Sequence, residues 1–119
     1  METQQQNIVF LSAFPVNILP WHLSKSFTVF LKKRNIDYLK TIVGEKEVYC
    51  YIRHLPTVNL LRRHFRLIDK SNEQYTFNAL DYIFIFALQI RPGKGADVNV
   101  ASEDDLLILE VNVAKGSWV

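Results

Sequence analysis

Two short stretches of the chain carry residue types that suit phosphate chemistry. Residues 53–57 read Arg-His-Leu-Pro-Thr, and residues 91–95 read Arg-Pro-Gly-Lys-Gly. An imidazole can donate a proton, a guanidinium can bind phosphate through two parallel hydrogen bonds, and the N–H groups at a helix N-terminus attract anions. Because Pro56 suits the first turn of a helix, the first stretch is predicted to open one. Together the two stretches predict a phosphodiester ligand.

Each polar side chain in these stretches has a hypothetical role. His54 is the candidate proton donor, Thr57 supplies a hydroxyl at the helix mouth, and Arg91 can stabilise charge that develops on a phosphoryl group. Lys94 adds a point charge in a loop whose glycines allow the backbone close to a ligand. The alternative for His54 is a structural or merely exposed imidazole. Residues 91–95 do not match the GxxxxGK[ST] pattern, which argues against a nucleoside triphosphatase.

Composition limits the class of protein. The chain has 119 residues, 49% of them hydrophobic, and its 14 Lys and Arg against 12 Asp and Glu give a formal net charge of +2. This composition predicts a single globular domain over residues 1–119. The positive charge is too small to predict general binding of duplex DNA. One cysteine and three scattered histidines argue against a disulfide framework or a structural zinc site, so no metal and no cofactor is expected.

The expected location is the cytoplasm. No apolar run reaches the roughly 18 residues that a membrane span needs, so no membrane association is expected. The first residues, Met-Glu-Thr-Gln-Gln-Gln, lack the basic and apolar regions of a signal peptide.

The elements that must position these side chains alternate between strand and helix patterns. Helices are predicted from Asn35 or Asp37 to Val43, ended by Gly44, and from about Pro56 to Arg66. Strands are predicted at residues 7–12, 26–32, 47–52, 81–90 and 106–113, with an irregular strand at 73–78. The expected fold class is α+β, a mixed central sheet of about five strands with flanking helices. Residues 1–6 and 115–119 are predicted to be flexible tails.

Three segments taken together resemble a known family. Residues 10–19 (FLSAFPVNIL), 52–61 (IRHLPTVNLL) and 81–91 (DYIFIFALQIR) are similar in content, order and spacing to the small viral ring nucleases that act as type III anti-CRISPR proteins. The resemblance extends over most of residues 7–113.

The resemblance implies a homodimer that binds cyclic tetra-adenylate in a symmetric pocket at the subunit interface. Cleavage in such a family needs no metal: the ribose 2′-hydroxyl attacks the adjacent phosphorus and leaves a 2′,3′-cyclic phosphate. His54 matches the family's proton-donating histidine, and Arg91 matches its charge-stabilising arginine. Thr57 matches a hydroxyl that contacts the ligand, and Asn17 matches a polar position in the N-terminal turn.

Departures from the family pattern leave a second hypothesis about the function open. Arg53 stands where the family has glycine, and Lys94 lies near the position of an expected acid. Both add positive charge that can hold phosphates, so both are candidate ligand-binding residues. The alternative function is therefore a cyclic-oligonucleotide binder that does not cut its ligand, or a small module that contacts nucleic acid or protein.

Overall fold

A computed structural model of the chain describes residues 6–88 and 105–116. Within these residues it contains two α-helices, a short 3₁₀ helix at Val16–Ile18 and six strands. The helices are α1 (Ile36–Val43) and α2 (Leu55–Arg62). The strands are β1 (Ile8–Leu11), β2 (Phe27–Arg34), β3 (Glu47–Cys50), β4 (Arg66–Asp69), β5 (Tyr82–Leu88) and β6 (Leu106–Lys115).

All six strands belong to one mixed sheet in the order β2-β6-β5-β1-β3-β4. The run β5-β1-β3-β4 is parallel, whereas β6 lies antiparallel to both β5 and β2. The predicted α+β class with a mixed central sheet is confirmed.

The core lies mainly on the sheet face that both helices cover. Phe10 of β1 is fully buried there, and its ring packs against those of Phe65, Phe84 and Phe86 with centroids 4.5–6.1 Å apart. Four consecutive apolar residues in β1 are buried, as expected of a central strand covered on both faces.

Helix α1 begins and ends where its sequence predicts. The Asn35 side chain accepts a hydrogen bond from the backbone N–H of Tyr38 at 2.8 Å, which satisfies a donor of the first turn. Gly44 follows the helix with φ of 57°, a left-handed conformation that glycine adopts without steric cost.

The second predicted helix is too long, and its last residues form a strand instead. Helix α2 ends at Arg62, and Arg66–Asp69 pairs with β3 as the edge strand β4. The spacing of Val58, Leu61 and Phe65 fits a helix and all three are buried, but Phe65 reaches the core after the chain has turned at Arg63 and His64. The extra strand brings the described sheet to six strands rather than five.

Two other predicted boundaries differ. The irregular strand predicted at 73–78 is wrong: these residues form a loop held by the buried Tyr75 side chain. Strand β6 includes Lys115, which the sequence places in a tail. The predicted strand at 81–90 is confirmed over Tyr82–Leu88, and residues 89–90 lie outside the described part.

Neither helix in the described ranges is long and apolar enough to cross a membrane.

Candidate functional site

A cleft of about 480 Å³ opens where the parallel strands β1 and β3 end. From β1 the chain crosses to β2 at one edge of the sheet, whereas from the neighbouring strand β3 it continues to β4 at the other edge. Ligands of α/β sheets bind at the carboxyl ends of the strands near such a point, because loops from neighbouring strands diverge there. The volume falls within the range of about 300–1,000 Å³ found for ligand pockets.

The cleft is lined by both apolar and polar residues. Its apolar lining comes from the end of β1, the turn after it, the residue after β3 and the loop after β4: Leu11, Ala13, Pro15, Tyr51 and Tyr75. Its polar lining is Ser12, Arg53, His54, Glu73 and Gln74. This mixture suits a ligand that has both apolar and charged groups.

His54 is fixed at the start of α2 by a neighbouring hydroxyl. It occupies the N-cap position of the helix, and its Nδ1 lies 2.8 Å from Oγ1 of Thr57. Thr57 is only 3% exposed. Because Nδ1 faces Thr57, Nε2 is the ring nitrogen that can act on a ligand in the cleft. In the imidazolium form, Nδ1–H donates to Thr57 and Nε2–H is left to donate to a ligand.

Arg53 is held against the loop that follows β4. Its Nε–H donates to the backbone carbonyl oxygen of Ser71 at 2.7 Å. The backbone N–H of Ser71 donates to Oδ1 of Asp69, and hydrogen bonds from Ser71 lower the pKa of that carboxyl. The contact orients an exposed guanidinium at the cleft, where its terminal N–H groups can bind a phosphate oxygen.

Two tyrosines form the aromatic part of the lining. The rings of Tyr51 and Tyr75 meet edge to face, with centroids 5.4 Å apart and planes at 69°. The Tyr75 hydroxyl donates to Oδ2 of Asp81 at 2.6 Å and accepts from the backbone N–H of Asn78. Burial, and next the bond to Asp81, raises the pKa of Tyr75. Burial also raises the pKa of Tyr51. Tyr75 is therefore a fixed neutral phenol that supports Tyr51.

The carboxylate of Glu73 in the cleft lining forms an ion pair. Oε2 of Glu73 lies 3.2 Å from Nζ of Lys70, and this bond raises the pKa of Lys70. Both side chains belong to the turn that carries the backbone carbonyl bound by Arg53. The turn is thus stabilised by polar contacts next to the cleft.

The six candidate residues from the sequence have different outcomes. Arg53 and His54 both line the cleft. Thr57 lies buried beneath His54, so it orients the imidazole rather than presenting a hydroxyl to the solvent. Asn17 is exposed on the 3₁₀ helix, outside the cleft lining. Arg91 and Lys94 lie outside the described residues.

Sequence reasoning missed the lining residues Ser12, Tyr51, Glu73, Gln74 and Tyr75. Tyr51 could have been found, because it lies two residues before Arg53 in the same strand-to-helix junction. The position of Glu73 and Gln74 depends on β4, which the sequence did not predict.

Metal ligands do not cluster in the described ranges: no three His, Cys, Asp or Glu side chains are grouped so that they could hold an ion. Cys50 is buried at the end of β3, and burial raises the pKa of its thiol, which disfavours the reactive thiolate.

Comparison with known proteins adds no family: the chain matches no protein-family model and no curated protein sequence.

Proposed function

We propose that the protein is a metal-independent ring nuclease that binds a cyclic oligoadenylate, cyclic tetra-adenylate in the first instance, and cleaves it. By removing this messenger it would counteract type III CRISPR signalling in the cytoplasm. The observation that carries the proposal is the oriented imidazole of His54, held by Thr57 at 2.8 Å in a cleft that also contains Arg53. An acid and a cation in one cleft are the groups that phosphodiester cleavage by an internal hydroxyl requires.

In the proposed reaction the ribose 2′-oxygen attacks the adjacent phosphorus and releases its proton to water. The bond from phosphorus to the 5′ oxygen breaks, and that oxygen takes the proton from Nε2 of His54. The product is a linear oligonucleotide with a 2′,3′-cyclic phosphate. Thr57 keeps the imidazole in the required orientation, and Arg53 binds a non-bridging phosphate oxygen. Arg91 is proposed to stabilise the charge on the phosphoryl group, with Lys94 and Asn17 as further ligand contacts.

The proposed active form is a homodimer in which two copies meet around one ring. Large apolar side chains next to the cleft support this arrangement. Val16 follows Pro15 of the lining and is 65% exposed, and Leu55 follows His54 and is 59% exposed. Exposed apolar groups beside a cleft are typical of an interaction surface. A second copy would cover them and bring a second His54 to the ligand.

The direct test is incubation of the purified protein with labelled cyclic tetra-adenylate in the presence of a chelator. We expect linear products that end in a cyclic phosphate. Tight binding without products would support the second candidate, a binder that sequesters the ring, which the Arg53 side chain in the cleft favours because it adds charge without a base. Neither binding nor products would overturn both, and salt-dependent binding of duplex DNA would then favour a small module that contacts nucleic acid.

A further inference from the structure

The apolar and the polar residues of the cleft are suited to different parts of a nucleotide. His54 and Arg53 are the basic residues of the lining, and a phosphate group fits beside them. The side chains of Leu11, Ala13 and Pro15 also line the cleft and offer no hydrogen bond to a phosphate. A ligand held by its phosphate at His54 would therefore place another, apolar group against these residues.

Tyr51 is an aromatic residue of the lining that offers a flat surface. Its ring is half-buried and borders the cleft directly after β3. The edge-to-face contact with Tyr75 fixes the ring from one side, and Tyr75 is itself fixed by its bonds to Asp81 and Asn78. A rigid aromatic ring that faces an open cleft can stack a nucleobase, which is how proteins bind unpaired bases.

Gln74 adds a group that can read the edge of a base. It lies exposed on the loop after β4 and lines the same cleft. A glutamine amide offers one donor and one acceptor side by side, which match N7 and the N6 amino group of adenine but not N7 and O6 of guanine.

We propose that Tyr51 and Gln74 form a nucleobase subsite in the cleft, in which Tyr51 stacks the base and Gln74 selects adenine over guanine. The inference deepens the proposed function and rests on it for the nature of the full ligand. The subsite itself is defined by the tyrosine pair and the glutamine amide.

The test measures affinity for cyclic tetra-adenylate in wild-type protein, Tyr51→Ala, Tyr51→Phe and the control Tyr49→Ala. Tyr49 lies two residues earlier in β3, is also half-buried, and borders a different cleft. We expect affinity to fall by about tenfold or more in Tyr51→Ala, because stacking on an aromatic side chain contributes substantially to the binding of each base. Tyr51→Phe, which keeps the ring, and Tyr49→Ala should bind like the wild type.

Specificity is tested with cyclic tetra-guanylate as the second probe. The wild type should prefer the adenine ring, and Gln74→Ala should lose most of that preference while it keeps binding. Equal preference in both proteins would overturn the role of Gln74. Unchanged affinity in Tyr51→Ala, or a matching loss in Tyr49→Ala, would overturn the role of Tyr51. If Tyr51→Ala does not fold, loss of affinity in Tyr51→Leu with retention in Tyr51→Phe decides the same question.

A third probe separates this inference from the proposed function. If the wild type binds no cyclic tetra-adenylate, the proposed function is overturned, and adenosine 5′-monophosphate then tests the subsite. Binding of the monophosphate that Tyr51→Ala weakens supports the subsite without the ring. Absence of that binding overturns both.

Discussion

At the scale of single residues, the buried hydroxyl of Thr57 is the group that orients the imidazole ring of His54. A threonine in the first turn of a helix is common, but this one is 3% exposed and contacts the imidazole at 2.8 Å. A buried polar group needs a hydrogen-bond partner, so the ring and the hydroxyl constrain each other. The constraint leaves Nε2 for the ligand.

Replacing Thr57 with valine should therefore slow cleavage without abolishing ligand binding. Valine fills the same space but cannot hold Nδ1, and a misplaced proton donor can cost up to about a hundredfold in rate. Single-turnover rates and equilibrium affinities measured side by side check this. Thr41→Val is the matched control, since that hydroxyl bonds only its own helix, to the carbonyl of Tyr38. Equal rates in wild type and Thr57→Val would show that the contact is merely structural.

Tyr75 should make the stability of the fold sensitive to alkaline pH. The pKa of Tyr75 is raised in the folded state. The stability that its neutral hydroxyl contributes is therefore complete below the ordinary tyrosine pKa of 10.0 and is lost as pH rises through the folded pKa. Tyr75→Phe removes the bond to Asp81 and should cost about 1–2 kcal/mol at neutral pH. Urea unfolding from pH 7 to 11 should show that the difference in unfolding free energy between the wild type and Tyr75→Phe becomes smaller above pH 10. A difference that grows would contradict a raised pKa for Tyr75. Tyr49→Phe is the control for the loss of a phenol.

At the scale of elements, local signals were enough for α1 but not for β4. Asn35 and Gly44 each act on their neighbours in sequence, so the helix between them could be predicted at both ends. Strand β4 has four residues, two of them charged, and exists because β3 offers it an open edge. Nothing in its own sequence alternates strongly enough to predict it. The loop after β4, with Glu73 and Gln74, was missed for the same reason.

The cap of α1 can be tested on its own. Asn35→Ala removes the acceptor for the N–H of Tyr38 and should lower the free energy of unfolding by about 0.5–2 kcal/mol. Chemical denaturation at neutral pH measures the difference. Asn59→Ala is the comparison, because Asn59 is exposed within α2 and alanine favours a helix interior. If both variants have the same stability as the wild type, the cap contributes nothing measurable.

At the scale of the whole molecule, Glu110 joins three elements at the side of the sheet away from the cleft. Its two oxygens accept bonds at 3.1 Å from Arg34 of β2 and from the Tyr38 hydroxyl of α1, while Glu110 itself lies in β6. The guanidinium of Arg34 also stacks over the Tyr38 ring at 3.9 Å. The cluster connects the helical layer with the antiparallel half of the sheet. The sequence does not reveal this cluster, since both hydrogen bonds of Glu110 span more than 70 positions.

Breaking this cluster should destabilise the fold but leave the candidate site intact. Glu110→Gln keeps the shape and removes the charge that Arg34 pairs with, so about 1.5–3 kcal/mol of stability should be lost, the usual contribution of a hydrogen bond to a charged group. Urea unfolding measures the loss, with Glu45→Gln, an exposed position, as the control. Ligand affinity below the unfolding transition should not change. A stable variant with reduced affinity would mean that the cleft depends on this distant cluster.

The site as a whole was predictable only where its residues are contiguous in sequence. Arg53 and His54 are neighbours in one junction, so the sequence alone predicts both as candidates. Tyr51, Glu73 and Gln74 reach the same cleft because β3 and β4 run parallel and end on the same edge. The topology of the sheet brings these residues together, and the order of residues in the sequence does not reveal it.

The most direct measurement of the central claim is the single-turnover rate of cyclic tetra-adenylate cleavage in His54→Ala, with chelator present. Loss of a proton donor should slow the reaction by about a hundredfold or more. His22→Ala removes an exposed histidine outside the cleft lining and should cleave at the wild-type rate. Wild-type cleavage by His54→Ala would contradict the account, because the oriented imidazole would then have no part in the reaction.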